Sequence, residues 1–313
     1  MSTDAGPIGN IRELAQQVTL VENAGIGSAE FLSALPTPSA HIIGLTGPPG
    51  VGKSTSTSAL ITQLRGEGKK VAVLAVDPSS TFSKGALLGD RIRMQEHARD
   101  PGVFIRSLAT RGHLGGLTES IYSVLKVISA AGFEVIIIET VGVGQSEIEV
   151  AKMADTSIVM AAPGAGDGIQ AAKAGILEIA DIFTVNKADR PGADATAREL
   201  RGMLAMSGES NGWISPVIPT IATEGAGFPE LSASIALHRN FLAENGLLEA
   251  KRVSRIRESL MARILNDLAH QARAVEAEQT LAKRCAAGTL SEASAVELIR
   301  DAMSTPSYVR IEP

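Results

Sequence analysis

The sequence predicts a parallel α/β fold with a helical extension at each end. Three observations predict it. Short aliphatic runs alternate with helical stretches from about residue 41 to about residue 231. Hydrophobic residues are 44% of the 313 while aromatics are 3%, so the core must be built from Ala, Val, Ile and Leu. Buried parallel strands are the elements that such aliphatic runs suit. Beyond Leu231 the strand pattern stops and helical spacing takes over.

Taken in order, residues 10–35 read as helical. Ile11, Leu14, Val18 and Val21 fall at helical spacing, and Phe31, Leu32 and Leu35 suggest a second, short helix. Pro36-Thr37-Pro38 breaks the pattern as a linker. Ile42 to Thr46 is a short strand running into a glycine-rich turn, and a helix follows over about Lys53–Arg65. Val71–Val76, Val103–Ile105, Val135–Ile138, Ser157–Met160, Ile182–Val185 and Val217–Ile218 are six further strands. Helices are expected between them, including Leu117–Ala130 and Ala193–Met206. In residues 247–275 the apolar positions Val253, Ile256, Leu260, Ile264 and Leu268 recur three or four apart. Lys251, Arg252, Arg255, Arg257, Glu258 and Arg263 make the other face charged. This helix packs on its own domain or serves as a dimerisation arm. Ser291–Met303 is a last helix with Ser291 as its N-cap. The expected division is a helical extension over 1–38, a central domain over 39–245 and a helical region over 246–313.

Composition excludes several classes. A single cysteine, Cys285, cannot pair within the chain or build a cysteine zinc site. A net charge of −5 gives no electrostatic case for nucleic-acid binding. No apolar run approaches the ~18 residues of a membrane span, and the first residues carry no basic and apolar leader pattern. A reduced, cytoplasmic setting is expected.

The chemistry is concentrated at strand ends. Gly47-Pro48-Pro49-Gly50-Val51-Gly52-Lys53-Ser54 fits G-x-x-x-x-G-K-[ST], after a predicted strand and at the start of a predicted helix. In such a P-loop, glycines let backbone N–H groups turn toward phosphate oxygens, and the helix N-terminus adds a positive dipole end. Lys53 then reaches the β- and γ-phosphates and the Ser54 hydroxyl binds Mg²⁺, with Thr55 completing the loop. Asn186-Lys187-Ala188-Asp189 closes a later strand and reads as N-K-x-D. The Asp189 carboxylate would accept from guanine N1–H and N2–H₂, which adenine cannot match, so GTP is favoured over ATP. Asn186 and Lys187 would brace the loop and cover the base. Ile221, Ala222 and Thr223 form a second candidate base loop, acting through backbone N–H groups, and Ala222, Thr223 and Glu224 are its candidate nucleotide-binding residues. Glu139 ends the most aliphatic strand and is a candidate Mg²⁺ ligand where most GTPases carry Asp. Asp77, at the end of Val71–Val76, and Asp90, in a loop able to close over the γ-phosphate, are candidate acids for Mg²⁺ or water. A helix cap is the competing reading for either.

Together GPPGVGKST, VDPSS, LLGDRIRM, ETVGVGQSE, PGAGDGIQAAKAGI and NKAD resemble the MeaB/ArgK group of GTPases over roughly residues 10–300. The human methylmalonic aciduria type A protein belongs with that group. The resemblance implies a chaperone of adenosylcobalamin-dependent methylmalonyl-CoA mutase or a related acyl-CoA mutase. Such a chaperone gates cofactor delivery from an adenosyltransferase and protects or reactivates the mutase. It also implies a P-loop domain, a helical extension and a C-terminal dimerisation arm that makes a homodimer. Lys53, Ser54, Asp77, Asp90 and Glu139 match the group's catalytic and metal-site residues. Ala162–Lys173 matches a mobile switch in which Asp167, Gln170 and Lys173 couple hydrolysis to the mutase. Gly168 departs from the acidic or bulky residue common there. Hydrolysis by the chain alone is expected to be slow, since no residue plainly orients water, and Gln145 is displaced from the usual glutamine position. Three other readings compete: a nickel-insertion GTPase, a kinase of a periplasmic transport protein, and a scaffold with negligible turnover. The first needs metal ligands, and the five histidines are scattered along the sequence.

Overall fold

The computed structural model describes residues 8–23, 25–77, 94–109, 116–140, 145–164, 179–207 and 212–304. Seven parallel strands form one sheet: β1 (His41–Thr46), β2 (Val71–Asp77), β3 (Val103–Ala109), β4 (Val135–Thr140), β5 (Thr156–Ala161), β6 (Ile182–Asn186) and β7 (Val217–Thr220). Their order is β3-β2-β4-β1-β5-β6-β7. The order reverses on either side of β1, so the crevice at its carboxyl end is where an open α/β sheet binds ligands. The register places Leu45 beside Glu139 and Ile158, bringing the loops after β1, β4 and β5 to one edge.

Helices cover both faces. On one side lie α1 (Ile11–Glu22), α2 (Ser28–Ala34), α4 (Gly116–Ala130) and α5 (Gln145–Met153), packed around a core that includes Leu14, Val18, Ile42, Leu74, Ile136 and Ile138. On the other lie α3 (Lys53–Gly66) and α7 (Phe228–Glu244), around Ile43, Leu45, Ile61, Val73, Ile137 and Phe228. Alternate residues of one strand feed opposite cores, which is why these strands read as unbroken aliphatic runs. A third cluster, under α6 (Ala193–Ser207), gathers Phe183, Val185, Ala197 and Leu200. Asn10 caps α1: its Oδ1 accepts from the Glu13 N–H at 2.9 Å, and the Glu13 carboxylate accepts from the Gly9 N–H at 3.0 Å. The first bond satisfies an end donor of the helix, and the second ties the preceding residue to its first turn.

The long helix α8 (Leu247–Gln279), with α9 (Leu281–Ala286) and α10 (Glu292–Ser304), completes the chain. Ser291 caps α10, its Oγ accepting from the Ser294 N–H at 3.1 Å. Lys251 and Arg255 belong to the charged face of α8, and both are directed toward the sheet. Arg255 is buried and pairs with the buried Asp155, and Lys251 bonds the Asp155 carbonyl at 2.9 Å and the Asp181 carboxylate at 3.2 Å. The apolar stripe is the outward one: Val253, Ile256, Leu260, Ile264 and Leu268 are all exposed, from 39% to 51%. The buried Asp155 and the half-buried Asp181, at the amino edge of the sheet, draw these two cations inward, because a carboxylate withdrawn from water requires a partner.

That edge holds a polar network. The Thr156 hydroxyl lies 2.9 Å from His41 Nε2 and 2.8 Å from His238 Nδ1, and His238 Nε2 lies 3.3 Å from Asp181. Burial drives the His41 pKa down to about 4 against the opposing pull of Asp155, so the ring is neutral at pH 7 and its 3.8 Å approach to Asp155 is not an ion pair. Two of the five histidines that look scattered in sequence, His41 and His238, thus meet at one threonine. Among the described residues no group of three His, Cys, Asp or Glu side chains is placed to hold a metal, and no helix is long and apolar enough to cross a membrane.

Candidate nucleotide site

The loop from Gly47 to Gly52 joins β1 to α3. Its backbone demands glycine at two places. Gly47 has φ +147°, and a Cβ there would stand 2.5 Å from the Met160 carbonyl oxygen on β5. Gly52 has φ +97°, and a Cβ there would stand 2.5 Å from Asn186 Nδ2. The second close approach ties the phosphate loop to the N-K-x-D loop. Asn186 Nδ2 donates to the Val51 carbonyl at 2.8 Å, while its Oδ1 accepts from the Ala222 N–H at 3.1 Å. Lys187, in the left-handed region at φ +60°, sends its ammonium to the Gly50 carbonyl at 2.6 Å. One asparagine therefore fastens three loops into a single wall.

Gly52, Thr55, Asn186, Lys187, Asp189, Arg190, Ile221, Ala222 and Thr223 line a cleft of about 130 Å³. The exposed Asp189 carboxylate stands in its wall, available to a planar base bearing adjacent N–H donors. Backbone donors of the candidate base loop are already engaged within the chain. The Ala222 N–H is committed to Asn186 and the Glu224 N–H to the Ile221 carbonyl at 3.0 Å. Ala222 and Thr223 contribute to the wall instead. A larger groove beside it is lined by Thr55, Ser58, Glu96, Thr223 and Glu224, among others.

At the other end of the loop, Lys53 donates to the Gly47 carbonyl at 2.6 Å and the Pro48 carbonyl at 3.3 Å, so its ammonium spans the loop. Ser54 donates to Glu139 Oε1 at 2.7 Å. Lys53, Ser54 and Glu139 are all buried. A hydroxyl and a carboxylate in contact are hard oxygen donors of the kind Mg²⁺ takes. The residues present therefore fit that ion. Sequence reasoning missed Thr57, whose hydroxyl takes the second Glu139 oxygen. Asp77 closes β2 one residue beyond Val76, which pairs with Thr140, so the ends of β2 and β4 lie side by side. The Asp77 side chain, Asp90, Gly142, the Gln145 side chain, and the switch residues Asp167, Gln170 and Lys173 lie outside the described residues.

The assembly is a phosphate loop with a cleft lined by Asp189 at one end and the Ser54–Glu139 pair at the other. The family described as methylmalonyl Co-A mutase-associated GTPase MeaB matches residues 14–277. The chain belongs to the MeaB family. A putative GTPase of Pyrococcus horikoshii is 51% identical over 257 residues, covering 80% of this chain and 81% of that protein. The mouse mitochondrial methylmalonic aciduria type A homolog is 37% identical over 245 residues, covering 77% of this chain and 59% of the mouse protein. Among solved structures, one titled a LAO/AO transport system kinase superposes with a TM-score of 0.68 at 29% identity, covering 95% of each chain. MeaB-family membership and the P-loop fold make this chain a GTPase that binds guanine nucleotide.

Proposed function

We propose that this MeaB-family GTPase is a chaperone for an adenosylcobalamin-dependent acyl-CoA mutase, methylmalonyl-CoA mutase or a relative. It would gate delivery of the cofactor from an adenosyltransferase and protect or reactivate the mutase. The single observation that carries the reading is the family match over residues 14–277, whose described member is a mutase-associated GTPase. The likeness to the mouse methylmalonic aciduria protein supports it.

In this reading the backbone of residues 47–52 and the start of α3 cradle the phosphates. Lys53 leaves its loop carbonyls for the β- and γ-phosphates. Ser54 and Glu139, with Asp77 and Asp90, would hold Mg²⁺, which would neutralise charge on the phosphate oxygens. Asp189 reads guanine, and Asn186 keeps the base wall at a fixed distance from the phosphate loop. Turnover by the chain alone is slow, and the mutase accelerates it by acting through Asp167, Gln170 and Lys173. The helical region 246–313 pairs two copies through the exposed stripe of α8, a reading its 39–51% exposure supports.

Single-turnover GTP hydrolysis with and without purified mutase tests the proposal. A mutase-stimulated rate is the expected result. An unchanged rate, or phosphate appearing on a transport protein, would overturn the chaperone role while leaving the GTPase assignment intact.

A further inference from the structure

We propose that Thr57 is a positioning residue for the Glu139 carboxylate, holding it in the orientation that meets Mg²⁺. The inference rests on the reading above, in which Glu139 and Ser54 belong to the metal site.

Ser54 and Thr57 are three residues apart on α3 and so share one helix face. Each hydroxyl donates to a different oxygen of one carboxylate: Ser54 to Oε1 and Thr57 to Oε2, both at 2.7 Å. Thr57 is fully buried and Glu139 nearly so. Threonines in helices commonly bond the carbonyl four residues back. Thr19 and Thr62 of this chain do so, at 2.8 Å and 3.1 Å. Thr57 instead reaches across to β4.

The consequence is orientational. A glutamate has three side-chain torsions, and the last, which turns the carboxylate plane, is soft and broad. One donor fixes one oxygen and leaves the plane free to turn. Two donors on a rigid helix fix both oxygens, and the β-branched threonine has few rotamers of its own. Hydroxyl bonds to an ionised carboxylate are of the stronger kind. Thr57 thus removes freedom that a longer acid would otherwise lose only when the cation arrives. It lies a full turn into α3 beyond Lys53, so it acts through Glu139.

The test compares wild type, Thr57→Val, Thr57→Ser and Glu139→Gln. Affinity for a fluorescent GDP analogue is measured in EDTA and across a Mg²⁺ titration, beside the Mg²⁺ dependence of GTP hydrolysis. Thr57→Val, equal in volume, should keep the EDTA affinity and raise the half-saturating Mg²⁺ about tenfold, as loss of one hydrogen bond to a charged group implies. Thr57→Ser should restore the wild-type titration to within about twofold. A wild-type Mg²⁺ response in Thr57→Val overturns the proposal. So does a serine variant as impaired as the valine one, since the methyl group would then be what matters. If Glu139→Gln also titrates like wild type, the metal-site reading falls together with the proposal. If Glu139→Gln shifts and Thr57→Val does not, only the role of Thr57 falls.

Discussion

At the scale of single residues, two positions of the proposed nucleotide site lend themselves to test. Asp189 offers a carboxylate in the cleft wall. Asp189→Asn replaces one acceptor oxygen by a donor facing the base N–H groups. GTP affinity should fall at least about tenfold while xanthine nucleotide gains, because a bond to a charged group is exchanged for a donor–donor clash. Competition binding with GTP and xanthosine triphosphate checks this, and a retained preference for GTP would place the base-reading group elsewhere. Gly52 is constrained twice, by φ +97° and by Asn186 Nδ2. Gly52→Ala should cost about 1–2 kcal/mol from backbone conformation alone and, by displacing Asn186, lower nucleotide affinity more than tenfold. Gly66→Ala, at the end of α3 where a Cβ meets nothing within 4 Å, is the control and should leave nucleotide affinity unchanged without loss of stability. Asp189 and Gly52 were legible in the sequence because each belongs to a motif of fixed spacing. Thr57 was not. Its partner Glu139 is 82 residues away, and nothing local distinguishes it from the hydroxyls of Ser56 and Ser58 beside it.

At the scale of elements, the strands were read almost as they stand, since residues buried on both faces leave continuous aliphatic runs. β3 is longer than the sequence suggested. Arg106 and Ser107 interrupt its apolar run, and Arg106 is accommodated by pairing with Glu22 of α1 at 2.7 Å. α8 was read correctly as a helix, with the choice of its buried face left open. Helical periodicity shows that two faces differ; it does not show which of them meets a neighbour. Here Asp155 and Asp181, distant in sequence, recruit Arg255 and Lys251 inward and turn the apolar stripe out. If the stripe pairs two copies, Ile264→Glu with Leu260→Glu should halve the particle mass in sedimentation without changing the melting temperature of the central sheet. A mass equal to wild type would remove the stripe from any dimer contact.

At the scale of the whole molecule, the nucleotide site and the histidine network occupy opposite edges of one sheet, about 20 Å of strand apart. Their responses to pH should therefore separate. His41 takes up its proton near pH 4 in the folded chain, because burial disfavours the charged ring, against 6.5 for the free side chain. The unfolded chain binds the proton first, so stability should fall as pH drops from about 6.5 toward 4 and be flat above that window. For Asp181, burial raises the pKa, but the His238 hydrogen bond and the Lys251 charge outweigh it and leave the carboxyl below its usual range. Its contribution is lost only in stronger acid, outside the histidine window. His41→Gln should flatten the slope between pH 6.5 and 4. Trp213, the only tryptophan, lies 4.8 Å from the His238 ring and supplies the fluorescence reporter for the melts. An unchanged slope would move the acid sensitivity to another group. The same edge is also a fulcrum. α8 is rooted where Arg255 meets Asp155 and continues for about 36 Å beyond it to Gln279. By that leverage, a tilt of about 5° at the root carries the tip through about 3 Å. A displacement of a few tenths of an ångström in the sheet would thus be delivered, magnified, to whatever rests on the far end of the helix.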